Sequence, residues 1–226
     1  ERLHILGRME EASAALPHIE SDRAALAQIL ATRPVWLAAD VAPEEEAAVI
    51  AAHRDVLRLA HRLLLILVPQ DPARSEALAA RLEAEEGWHV ANRGRDEEPE
   101  NETEVYIMDR DADYGLCYRL APVTFLGGSL HGEGCARNPM EAAAMGSAIL
   151  YGPRAGNYAA AYARLGAARA ARMVGSASDL SLALGDLLAP DRAARQAQAA
   201  WMITSEGADV TATVLQMARA ILDGTD

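Results

Sequence analysis

Apolar residues make up 51% of this 226-residue chain, enough for a sizeable buried core, and the length fits one large domain or two small ones. A formal charge of −12 and an isoelectric point near 4.9 exclude a basic face for nucleic acid. All 21 basic residues are Arg and none is Lys, which together with the abundant Ala reads as coding bias rather than function.

In chain order, short apolar runs alternate with longer amphipathic ones, the pattern of βαβ units on a parallel sheet. Residues 1–32 read as a lead-in ending in a helix near Ser21–Thr32, and Val35–Ala39 is the first strand. Glu44–Ala60 has helical spacing, with Glu44, Glu45 and Glu46 suited to the positive end of the helix dipole. Leu63–Val68 is a continuous apolar strand, as expected for a strand buried on both faces. A helix near Ala73–Glu86, a strand at Trp88–Ala91 and a polar loop over Arg93–Thr103 follow. Glu104–Met108 is a strand, Asp113–Leu120 a short helix and Pro122–Leu126 the next strand. Helix 139–145, strand Ser147–Tyr151, a helix from Asn157, a weak strand at Ala170–Val174 and a helix over Asp179–Leu188 come next. Two helices, near Asp191–Trp201 and Ala208–Leu222, close the chain. No internal repeat or composition break divides it, so one Rossmann-like domain over 33–226 is expected.

No run reaches transmembrane length and no signal peptide is visible. Cys117 and Cys135 form neither a metal spacing nor a disulfide framework, which fits a reduced, cytoplasmic setting. The first residue is Glu1 rather than Met, so the chain is read as a piece of a longer protein.

The most informative stretch is Thr124-Phe125-Leu126-Gly127-Gly128-Ser129-Leu130 followed by Asn138-Pro139-Met140-Glu141. An apolar strand runs into paired glycines, and a helix follows with Asn138 as N-cap, Pro139 in the first turn and Glu141 at the capping-box position. In open α/β sheets ligands bind outside such strand ends. The N–H groups of Gly127 and Gly128 and the Ser129 hydroxyl can hold a phosphate or carboxylate, though paired glycines also serve as a plain tight turn. Glu141 has two competing roles: accepting the N-cap N–H, or accepting hydrogen bonds from ribose hydroxyls. Gly152 and Arg154 follow the next strand end, where Arg154 can neutralise an anion. The alternating His131, Glu133 and Cys135 make a poor metal set, so no metal is expected. Met140, Met145, Trp36, Trp88 and Trp201 read as packing residues, and His53 and His61 as surface or packing residues. No Ser-His-Asp arrangement can be argued from spacing.

The longer pattern joins these residues to Arg33-Pro34-Val35-Trp36-Leu37, Leu63–Pro69, Tyr118-Arg119-Leu120-Ala121-Pro122, Gly152-Pro153 and Asn157. In order and spacing it resembles the C-terminal half of the 3-deoxy-D-manno-octulosonic acid (Kdo) transferases, from about Arg33 onward. The resemblance implies the C-terminal lobe of a GT-B glycosyltransferase, a fold with two Rossmann-like lobes facing each other across a cleft. It implies a site for a CMP-activated sugar donor (CMP-Kdo) formed by Gly127, Gly128, Ser129, Asn138, Glu141, Gly152 and Arg154. Residues 1–32 would come from the interlobe region. The acceptor site for a lipid A precursor, the catalytic carboxylate and any membrane-contacting surface would lie on an N-terminal lobe outside this chain. No catalytic residue is therefore assigned here, and no cofactor is expected. The full-length protein would work in lipopolysaccharide biosynthesis at the cytoplasmic face of the inner membrane.

The chain departs from the family pattern at several strand ends. Asp40, Val41 and Ala42 replace Ser-Thr-His, and Gln70, Asp71 and Pro72 replace Arg-His-Pro. Ala112, Asp113 and Tyr114 replace Gly-Glu-Leu, and Cys135, Ala136 and Arg137 stand for Gly-Gly-His before Asn138-Pro139. The lost arginine removes a planar fork suited to an anion, and Arg137 and Arg154 are its possible substitutes. Two alternatives stay open: a paralogue using another nucleotide sugar, and a non-catalytic paralogue that binds a partner.

Overall fold

The structure, a computed structural model, describes residues 16–110 and 113–222. Seven strands, β1 (Val35–Val41), β2 (Leu64–Pro69), β3 (His89–Asn92), β4 (Thr103–Ile107), β5 (Val123–Leu126), β6 (Ala148–Tyr151) and β7 (Ala171–Met173), form one sheet in the order 3-4-2-1-5-6-7. Every pairing is parallel. The helices are α1 (Glu20–Leu30), α2 (Glu46–Leu57), α3 (Ser75–Glu86), α4 (Tyr114–Leu120), α5 (Pro139–Ala144), α6 (Ala159–Ala167), α7 (Ala177–Leu187) and α8 (Pro190–Leu222).

The sheet is covered on both faces, which is why its central strands read as unbroken apolar runs. Alternate residues of β1 serve opposite cores. Leu37 and Ala39 join Ile66, Tyr106, Leu126 and Ile149 on one face, and Trp36 and Ala38 join Leu65, Leu67, Phe125 and Leu150 on the other. Residues of α1, α4, α5 and α6 close the first core, and α2, α3 and α7 the second.

Arg33 pins the start of β1. Its guanidinium donates to the carbonyls of Arg62 (2.8 Å), Glu100 (3.0 Å) and Thr103, tying the entries of β1, β2 and β4 together. His53 of α2 is buried rather than at the surface, between Trp36 and Trp88.

Two expectations at the C-terminus are corrected. The two closing helices are a single 33-residue helix, α8. Thr204 and Ser205 look like a break in sequence, but their hydroxyls bond back to the Trp201 carbonyl at 2.7 and 3.0 Å within the continuing helix. Trp201 is no core anchor either, being 53% exposed. Among the described side chains of α8, the buried ones are Ala193, Ala197 and Ala200.

Candidate functional site

The sheet order reverses between β1 and β5. The chain leaves β1 for β2 and β4 on one side, then returns past β1 to lay down β5, β6 and β7 on the other. A crevice at the carboxyl ends of β1 and β5 is the place where doubly wound sheets bind ligands. The register sets Ala39 beside Leu126, so Asp40 and Val41 exit next to Gly127 and Gly128.

Four polar side chains meet at this switch point. Asp40 takes a left-handed backbone conformation (φ 56°) at the end of β1, and Tyr114 donates to its Oδ1 at 3.4 Å. The Arg137 guanidinium lies 3.7 Å from the centroid of the Tyr114 ring, a cation–π contact. Its Nη2 donates to Glu141 Oε2 at 2.7 Å, one helical turn on. Burial works against the charge on Arg137, but Tyr118 and Glu141 beside it outweigh that and hold its pKa above the ordinary value. Burial, followed by the charge of Asp40, pushes the Tyr114 phenol up, so it stays a protonated donor.

Glu141 forms no capping box. Asn138 does cap α5, accepting from the Met140 N–H at 3.0 Å, but the Glu141 carboxylate turns outward to Arg137. Its side chain keeps 19% of its surface exposed. With only six residues, α5 is a short helix whose end adds little dipole to the site.

The strand-end donors find partners within the chain. Gly127 N–H donates to Ala39 O at 2.7 Å, extending the β1–β5 pairing. Gly128 N–H donates to the Glu45 carboxylate at 2.5 Å. Ser129 is fully buried: its hydroxyl donates to Leu126 O and accepts from Gly152 N–H at 2.7 Å. Gly127, Gly128 and Gly152 are required because the backbone approaches too closely for a side chain. A Cβ at Gly127 would meet Asp40 O at 2.4 Å, at Gly128 it would meet Gly134 O at 2.4 Å, and at Gly152 it would meet Ser129 O at 2.2 Å. Arg154 clamps the loop, its Nη1 donating to the carbonyls of His131 (3.0 Å) and Gly132 (2.6 Å).

Sequence reasoning missed Glu45. The run Glu44–Glu46 reads as a dipole-matched helix start, yet the structure gives each residue a different job. Glu44 is exposed, Glu45 is fully buried against the glycine loop, and Glu46 pairs with Arg74 and Arg81 at 3.0 Å each. The signal would have been the β1–β5 pairing, which joins segments far apart in sequence. Next to Gln70, which stands where the family pattern has arginine, Asp71 caps a local turn, accepting from Ala73 N–H at 3.0 Å. Ala112 lies outside the described residues.

His131, Glu133 and Cys135 do not converge. His131 and Glu133 are exposed, while the buried Cys135 thiol donates to Arg137 O at 3.3 Å and lies 3.0 Å from the Tyr162 hydroxyl. Among the described residues no group of three or more His, Cys, Asp and Glu could hold a metal, and no helix is long and apolar enough to cross a membrane. A cavity of about 650 Å³ opens at the opposite rim, under the amino ends of β1 and β5. The Arg23 and Arg33 guanidinia there are already engaged, with Glu20 and with backbone carbonyls.

No family model matches the sequence. Over 126 residues it is 32% identical to the 3-deoxy-D-manno-octulosonic acid transferase of Haemophilus influenzae, covering 56% of this chain and 29% of that protein. It is 27% identical over 148 residues to the enzyme of the same name from Rickettsia bellii, covering 66% of this chain and 35% of that protein. The chain thus spans about a third of the length of these curated relatives. In structure it is similar to the C-terminal CMP-Kdo binding domain of WaaA from Acinetobacter baumannii, with a TM-score of 0.69 and 22% identity over 84% of this chain and 96% of that domain. It also resembles WaaG, a glycosyltransferase of lipopolysaccharide biosynthesis, with a TM-score of 0.56 and 19% identity over 83% of this chain and 48% of that one. The fold is that of a GT-B glycosyltransferase C-terminal domain, and the sequence is similar to those of the Kdo transferases.

Proposed function

We propose that this chain is the donor-binding lobe of a Kdo-transferase-like glycosyltransferase, with residues 33–226 forming the lobe and 1–32 leading into it. Its ligand is a CMP-activated sugar acid, bound in the switch-point crevice between β1 and β5. The full-length protein would transfer that sugar acid to a lipid A-type acceptor in lipopolysaccharide biosynthesis, at the cytoplasmic face of the inner membrane. The acceptor and the carboxylate that deprotonates its hydroxyl would be held outside this chain.

One observation carries the reading: a partly exposed carboxylate at the switch point, held in one orientation by a cation. With Oε2 bonded to Arg137, the other oxygen of this partly exposed carboxylate would accept from ribose hydroxyls. Arg137 then does two things. It orients Glu141, and its half-buried positive charge would offset the phosphate and carboxylate of the donor, replacing the arginine lost after β2. Gly127, Gly128, Ser129 and Gly152 shape the floor, Asn138 fixes the start of α5, and Arg154 adds positive charge at the rim.

The test is Glu141→Ala, read by calorimetric titration with CMP and by thermal melting. Loss of hydrogen bonds between a charged group and two hydroxyls predicts at least tenfold weaker binding. The melting temperature should change by only a few degrees, since Asn138 still caps the helix. Unchanged affinity with a comparable loss of melting temperature would make Glu141 purely structural.

A further inference from the structure

The turn after β5 is built as an anion-binding concavity, and its occupant belongs to the chain itself. The N–H groups of Gly128, Leu130 and His131 converge on the Glu45 carboxylate, Gly128 on one oxygen at 2.5 Å and Leu130 and His131 (3.0 Å) on the other. Glu45 is fully buried, and among the described residues no guanidinium lies within ion-pair range of it. A buried carboxylate persists only when its oxygens are well hydrogen-bonded, and here backbone donors do all of it. The concavity depends on loop shape: Gly128 has a φ of 69°, and Gly134 O sits where a Cβ would stand.

We infer that Glu45 is a built-in ligand of the glycine loop, filling the concavity that an incoming phosphate or sugar carboxylate would otherwise enter. Glu45 lies on the turn from β1 into α2, so the contact fastens the exit of β1 to the exit of β5 across the switch point. It makes Glu45 a positioning residue. Resting on the donor-lobe reading, the consequence is that a bound nucleotide sugar directs its anionic groups toward Arg137 rather than toward the loop amides.

Removing the carboxylate while leaving the loop should open a site of matching size and chemistry. Glu45→Ala should melt roughly 10 °C lower, because three buried N–H groups lose their acceptor. Formate should recover much of that loss, and chloride at equal ionic strength should not. In amide NMR spectra of the variant, formate should shift Gly128, Leu130 and His131; in the wild-type chain inorganic phosphate should leave them in place. Equal melting of the folded variant in formate and chloride would overturn the inference, as would wild-type amides that titrate with phosphate. If Glu45→Ala does not fold, the wild-type phosphate titration decides alone. Wild-type affinity for CMP, measured alongside, reports separately on the donor-lobe reading: absent CMP binding with intact formate rescue rejects that reading and leaves Glu45 in its role.

Discussion

His53 should make the stability of this chain fall with acid in a window set by its burial. Its Nδ1 accepts the Trp36 indole N–H at 3.1 Å, and its Nε2 lies 3.1 Å from Glu104 O. An indole N–H can only donate, so Nδ1 is unprotonated and Nε2 carries the hydrogen. Charging the ring would place a second donor against Trp36, inside a site with the Trp88 ring edge-on at 5.0 Å. Burial holds the His53 pKa down to about 3, from an ordinary 6.5. Because the folded value is the lower one, the unfolded chain binds the extra proton first, and stability declines as pH falls from 6.5 toward 3. At 1.36 kcal/mol per pH unit, going from pH 7 to pH 5 costs about 2 kcal/mol through this residue, or roughly 4–8 °C of melting temperature. The assay is urea unfolding at pH 7, 6 and 5 for the wild type and for His53→Gln, which keeps an acceptor for Trp36 and does not titrate. The wild type should lose about 2 kcal/mol more than the variant across the window. Parallel losses would show that His53 takes up its proton in the folded state as readily as in the unfolded chain.

Other perturbations follow from single contacts. Gly127→Ala drives a Cβ into Asp40 O at 2.4 Å and Val41 Cα at 2.8 Å, both backbone, and should cost roughly 3 kcal/mol in urea unfolding. Gly185→Ala in α7 meets nothing within 4 Å and should stabilise by about 0.5–1 kcal/mol in the same assay. Arg33→Lys should be nearly as damaging as Arg33→Ala, at about 2–4 kcal/mol, because an ammonium lacks the planar fork that reaches the carbonyls of Arg62, Glu100 and Thr103.

The sequence made the architecture legible because each buried strand is locally distinctive. Leu63–Val68 reads as a strand covered on both faces, and the predicted strands reappear within a residue or two of their observed ends. Helix ends marked by side-chain caps were legible too, as Asn138 shows. What escaped was whatever depends on pairing between distant segments. The glycine loop showed its donors but not Glu45, which reaches them only because β1 and β5 are neighbours in the sheet. Glu141 suited both a cap and a ligand role, and the presence of Arg137 one turn earlier decides which way it points. In α8, Trp201 promised burial by its size, whereas the helix packs through small alanines that bring its axis close to the sheet.

Calorimetric titration of this chain with CMP, using UDP as comparator, tests the donor-lobe assignment. CMP should bind saturably and clearly more strongly than UDP, and Glu141→Ala should weaken that binding. Preference for UDP would contradict the assignment of the donor, and equal indifference to both nucleotides would contradict the donor lobe itself.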